Sequence, residues 1–133
     1  MFPEIITFKQ LGDERGGLVA IEEETSVPFH ICRIYYIYDT KVDVERGFHA
    51  HKTLSQVGVA VSGSCEMVLN DGTTEVCTRL DSPTKGVVIR PGIWRSMRCF
   101  SHDCVLLVLA DQPYDESDYI RNYDDFLSWK CTP

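Results

Sequence analysis

The chain has 133 residues, 44% of them hydrophobic and 25% charged, with a net charge of −7. That length supports one domain, residues 1–133, with a real core. The acidic balance excludes a general nucleic-acid-binding role, while a few arginines gathered in a cleft would still suit a phosphorylated ligand. In chain order the sequence reads as short β-rich segments broken by turns. Ile5–Phe8 is a first strand, Asp13-Glu14-Arg15-Gly16-Gly17 a turn, and Leu18–Glu22 a second strand. After Pro28, Cys32–Tyr38 is rich in aromatic and β-branched residues and gives the clearest strand. A polar loop over Lys41–Glu45 leads to strands at Arg46–His51 and Gln56–Val61. Ser62-Gly63-Ser64 turns the chain into Cys65–Leu69, and Asn70-Asp71-Gly72 predicts a hairpin returning through Thr73–Arg79. Strands over Gly86–Ile89, Trp94–Phe100 and Cys104–Leu109 complete a set of about ten, which predicts an all-β sandwich or barrel. The pattern then changes. Asn122 is a candidate cap for a short C-terminal helix running through Phe126, Leu127 and Lys130, with Asp124 and Asp125 in its first turn.

Six cysteines are scattered with no Cys-x-x-Cys. That is not zinc spacing, and a chain of this size needs no disulfide framework, so several are read as small core residues. The longest apolar run, Val105–Ala110, is too short to cross a membrane, and the first residues lack the apolar centre of a signal peptide. These features predict a reduced, cytoplasmic protein with no membrane or nucleic-acid partner.

The stretch Arg46-Gly47-Phe48-His49-Ala50-His51-Lys52 organises the rest. Positions two apart on a strand share a face, so His49 and His51 point the same way. By itself such a pair could equally be solvated or buried and satisfied. Downstream stand Gln56, Gly63 and Pro91-Gly92-Ile93-Trp94-Arg95. The spacing resembles that of the cupins, small jelly-roll β-barrels, with two departures. Gln56 stands where cupins usually carry Glu, and Arg95 where the last His ligand would be. Glutamine is a poorer donor than a carboxylate, and a guanidinium cannot deprotonate to bind a metal. The site is therefore expected to hold no metal and no cofactor, leaving the histidines free for acid–base work.

Four stretches sharpen the resemblance: Arg33–Asp39, Arg46–Lys52, Pro91–Met97 and Tyr114–Asp124. Together, over nearly the whole chain, they resemble the cupin-fold sugar 3,4-ketoisomerases, which act on dTDP-4-keto-6-deoxyglucose in dTDP-amino-sugar biosynthesis. The resemblance implies movement of a ketone from C4 to C3 by proton transfer through an enediol, a homodimer in which an N-terminal strand could be lent to the partner, and catalytic roles for His49 and His51. Of the two, His49 is favoured as the base at C3 and His51 as its partner in proton delivery, although the sequence does not order them. The chemistry agrees, since it needs a base, an acid and a group to polarise the carbonyl, and Arg95 can stabilise a developing enediolate. Arg33, Arg46 and Arg121 are candidates for the pyrophosphate, because arginine offers a planar fork to phosphate oxygens. Each has the alternative of a solvated surface residue. Tyr35 shares parity with Arg33. Tyr35, Trp94 and Tyr119 are candidates for stacking on thymine or lining the sugar pocket, with a core role the alternative for Trp94. Ser96 stands where many relatives carry Glu. Competing readings are a deoxysugar 3,5-epimerase, a metal-dependent cupin, and a non-enzymatic sugar-binding module.

Overall fold

A computed structural model describes residues 2–133. Two five-stranded antiparallel sheets face each other across an apolar core. The first has the order β1 (Glu4–Thr7), β9 (Lys85–Ile89), β6 (Gln56–Ser62), β11 (Val105–Ala110), β4 (Arg33–Ile37). The second runs β12 (Tyr119–Ile120), β5 (Arg46–His51), β10 (Trp94–Arg98), β7 (Cys65–Asn70), β8 (Glu75–Leu80). Both follow from period-two patterning. In β7, Cys65, Met67 and Leu69 are fully buried, and Glu66 and Val68 between them are half-buried. These residues meet Val87, Ile89, Leu106, Val108 and Phe100 between the sheets. The all-β cupin-type expectation holds, although the two sheets stay separate and do not merge into one closed ladder.

β6 is buried on both faces. Its outward residues Val57 and Val59 pack with Val88 and Leu109 under Phe8, Val27 and Phe29. This explains the main departure from the expected strands. Leu18–Glu22 does not form one, because Gly16–Leu18 (β3) closes a small exposed hairpin with Leu11–Asp13 (β2), and the chain after it lies as irregular cover over the first sheet. The predicted turn shrinks to Glu14-Arg15. The Asn70-Asp71-Gly72 hairpin forms as read. Gly72 N–H donates to Asn70 Oδ1 at 2.7 Å, and Thr73 and Thr74 N–H donate to Asp71 Oδ1 at 2.9 and 2.8 Å.

At the C-terminus, Glu116–Asp118 forms a single 3-10 turn, followed by the two-residue β12 and helix α1 (Tyr123–Cys131). Asn122 caps α1 as expected, accepting from Asp125 N–H at 3.0 Å. Phe126 anchors the helix, fully buried with Ala50 and Ile120 on the outer face of the second sheet. No helix among the described residues is long and apolar enough to cross a membrane.

Candidate active site

The site grows from a bulge in β5. Pairing with β10 jumps from His49↔Arg95 to Gly47↔Ser96, so Phe48 is the extra residue. Gly47 has φ +96° and Phe48 φ +61°. A Cβ on residue 47 would lie 3.0 Å from the Arg95 carbonyl oxygen, which is why glycine is required here. Beyond the bulge the strand is regular, and His49 and His51 share a face as predicted. Their rings lie 5.0 Å apart, edge to face.

A cavity of about 590 Å³ opens at His49. Six of the nine candidate residues line it: Arg33, Tyr35, Arg46, His49, Tyr119 and Arg121. His51 (0% exposed) and Arg95 (1%) stand in the buried wall behind. Trp94 is a correction. It alternates with Arg95 on β10 and so points to the opposite side, where it packs on Tyr123 and Phe126 with ring centroids 5.2 and 5.7 Å away. It lines no part of this cavity.

Gln56 and Arg95, the two departures from the metal-ligand pattern, bond to each other. Arg95 Nη1 donates to Gln56 Oε1, and Arg95 Nη2 donates to the Ile93 carbonyl at 3.0 Å. Gln56 Nε2 donates to the Tyr35 hydroxyl at 3.1 Å. Burial pulls the Arg95 guanidinium down to about 10, so it remains a cation at neutral pH. A fixed positive charge bonded to the neighbouring amide does not fit a divalent ion. Among the described residues no group of three His, Cys, Asp or Glu could hold one.

Burial, and then the Arg95 charge, depress His49 to about 3. The same causes depress His51 to about 4 against the opposing pull of Asp118. Both imidazoles are thus neutral at pH 7. Tyr119 lies against both, at 5.0 Å from His49 and 4.3 Å from His51. The Arg121 guanidinium covers the Tyr119 ring at 4.1 Å and is held by Glu116, with Nε and Nη2 donating at 2.6 and 2.8 Å. Arg33 sits over Tyr35 and Tyr114 at 5.3 and 5.7 Å.

Tyr114, Glu116 and Asp118 were not legible as site residues. They arrive because β12 pairs Tyr119 with His51 and Ile120 with Ala50. A two-residue strand leaves no periodic signal in sequence, and only the presence of the Tyr114–Asp124 stretch in the family resemblance marked the region.

The family model described as "FdtA: WxcM-like, C-terminal" matches residues 1–131. The chain belongs to this family. It is 53% identical over 126 residues to a TDP-4-oxo-6-deoxy-alpha-D-glucose-3,4-oxoisomerase of Aneurinibacillus thermoaerophilus, covering 95% of this chain and 91% of that one. A 3,4-ketoisomerase from Helicobacter canadensis has a TM-score of 0.94 at 49% identity, covering 98% of each chain. The QdtA 3,4-ketoisomerase from Thermoanaerobacterium thermosaccharolyticum, with asparagine in place of one histidine and in complex with TDP-4-keto-6-deoxyglucose, has a TM-score of 0.94 at 40% identity, covering 98% of this chain and 95% of that one.

Proposed function

We propose that this chain isomerises dTDP-4-keto-6-deoxyglucose to a dTDP-3-keto-6-deoxyhexose, in the making of amino sugars for cell-surface lipopolysaccharide. The observation that carries the mechanism is the pair of neutral, buried imidazoles set between a cavity rimmed by arginines and the fixed Arg95 charge. His49 takes the proton from C3. Arg95 stabilises the enediolate electrostatically from the wall. His51 serves proton delivery to C4. Arg33, Arg46 and Arg121 take the pyrophosphate, and Tyr35 and Tyr119 line the sugar and base. No redox cofactor is needed, because the reaction moves protons only.

Incubation with dTDP-4-keto-6-deoxyglucose in D₂O, followed by NMR, tests this reading. The carbonyl carbon is expected to move from C4 to C3, and deuterium to appear at C4, because an imidazole proton exchanges with solvent while the site is open. A hydride shift would carry the original hydrogen across. A second reading has one observation behind it. A 3,5-epimerase would want a histidine backed by an acid beside a tyrosine, and His51 has Asp118 at 3.2 Å and Tyr119 against its ring. Deuterium at C3 and C5 with the carbonyl still at C4 would select that reading.

Arg46 tests the anion site. Arg46→Ala is expected to raise KM for the nucleotide sugar by roughly tenfold to a hundredfold, since a charge-assisted contact is worth about 1.5–3 kcal/mol. An unchanged KM returns Arg46 to the solvated surface.

We also propose a cytoplasmic homodimer. All six cysteines are free thiols, in keeping with a reducing compartment. β4 is an edge strand with Ile34 and Tyr36 exposed, and Tyr38 is exposed just beyond it, a surface that a second copy would cover. In this structure β1 pairs with β9 of its own chain, and exchange between two copies would replace that pairing with an identical one. Sedimentation at micromolar concentration is expected to give twice the chain mass, and a single-chain mass would refute the dimer.

A further inference from the structure

We propose that Asp118 is the positioning residue for His51, holding the imidazole with its proton on Nδ1 and leaving Nε2 as the unprotonated acceptor. The inference rests on the ketoisomerase reading only for its kinetic arm.

The argument begins with hydrogen-bond capacity. An ionised carboxylate accepts and cannot donate, so the 3.2 Å contact between Asp118 Oδ2 and His51 Nδ1 requires the proton on the imidazole nitrogen. Asp118 is well fixed for this task. Its Oδ1 accepts from Thr53 N–H at 2.9 Å and from the Thr53 hydroxyl at 2.7 Å, and its Oδ2 accepts from Leu54 N–H at 3.2 Å. Burial pushes the carboxyl up, but these donors together outweigh it and hold Asp118 below the usual carboxylate range. Asp118 is 7% exposed and faces a histidine that is fully buried. The backbone locks the register. Lys52 N–H donates to the Asp118 carbonyl at 3.0 Å, and Tyr119 pairs with His51 in the next rung.

The remaining nitrogen, His51 Nε2, is buried with no partner among the described residues. With Nδ1 occupied by Asp118, Nε2 is the lone pair available to take a proton. Once it does, the imidazolium lies in a wall that already holds the Arg95 cation. Asp118 is then the nearest counter-charge, so it both selects the tautomer and stabilises the charged form through which a proton would pass.

The test reads the tautomer directly. Long-range ¹H–¹⁵N correlation spectra of the ligand-free wild-type protein at pH 7 are expected to show His51 protonated at Nδ1, and protonation at Nε2 instead would overturn the proposal. This measurement needs no variant and no substrate, so it stands whether or not the chain turns over dTDP-4-keto-6-deoxyglucose. Asp118→Asn places an amide N–H₂ or a neutral carbonyl against His51. It is expected to shift the His51 ¹⁵N pattern toward Nε2–H and to lower kcat by about 10- to 100-fold with KM little changed. A folded Asp118→Asn protein with normal kcat overturns the positioning role.

Discussion

His49→Asn should lose turnover by about 10²–10⁴-fold, the usual cost of removing a general acid–base group. It should also lose exchange of the C3 hydrogen with solvent. The reason is position. Of the two histidines, only His49 lines the cavity, and the bulge at Gly47-Phe48 is what aims it there. His51 lies behind it, fully buried. His51→Asn should therefore slow turnover while leaving some C3 exchange, because the first proton transfer does not depend on it alone. NMR of the substrate in D₂O with each variant separates the two outcomes. The pH profile adds a check. A base acts in its neutral form, so activity falls as pH drops through its pKa. With His49 held near 3, kcat/KM of the wild type should show no acid limb around the ordinary histidine value of 6.5. A folded His49→Asn protein with near-normal rate would defeat the mechanism.

Arg95→Met should lower kcat by about 10²–10³-fold, the cost of removing one preorganised donor at a developing oxyanion. It should do so without unfolding the protein. Arg95 is a buried charge with no carboxylate bonded to it among the described residues, so replacing it with an apolar side chain of similar length relieves the desolvation cost of the cation. Against this, Gln56 Oε1 and the Ile93 carbonyl each lose a donor, at about 1–3 kcal/mol for a group left unpaired. The two contributions oppose each other, so the protein should remain folded. A second readout is sharper. The Arg95 charge lowers both histidines, so removing it should move their titrations upward from about 3 and 4. If ¹H NMR titration shows no upward movement and kcat is unchanged, Arg95 only fills space.

Strand parity carried much of this site into view from the sequence. It placed His49 with His51, and Arg33 with Tyr35, because the period of two is fixed by the backbone. The same rule applied to β10 would have excluded Trp94 from the cavity once Arg95 was placed inside, since adjacent residues point apart. The Gln56–Arg95 bond was half legible. The two departures were plain in the sequence, but their direct contact depends on β6 and β10 lying in facing sheets. Leu18–Glu22 looked like a strand because it is a short apolar run following a turn, yet its residues Val19 and Ile21 are spent covering the first sheet, which no local pattern reveals. Tyr114, Glu116 and Asp118 were beyond reach for a related reason. They are delivered by a single long-range pairing, β12 on β5, and each alone reads as an ordinary polar residue in a loop.

That pairing divides the site between two parts of very different local stability. His49, His51 and Arg95 stand on interior strands of a broad ladder. Asp118, Tyr119 and Arg121 ride on or beside an edge of two residue pairs, secured by the hydrogen bonds of Asp118 to residues 52–54 and by Ile120 and the Phe126 anchor packed on Trp94. If this smaller C-terminal unit opens locally at a free energy below that of global unfolding, docking of the helix would set the fraction of competent enzyme, and Trp94→Ala would lower activity without touching the cavity.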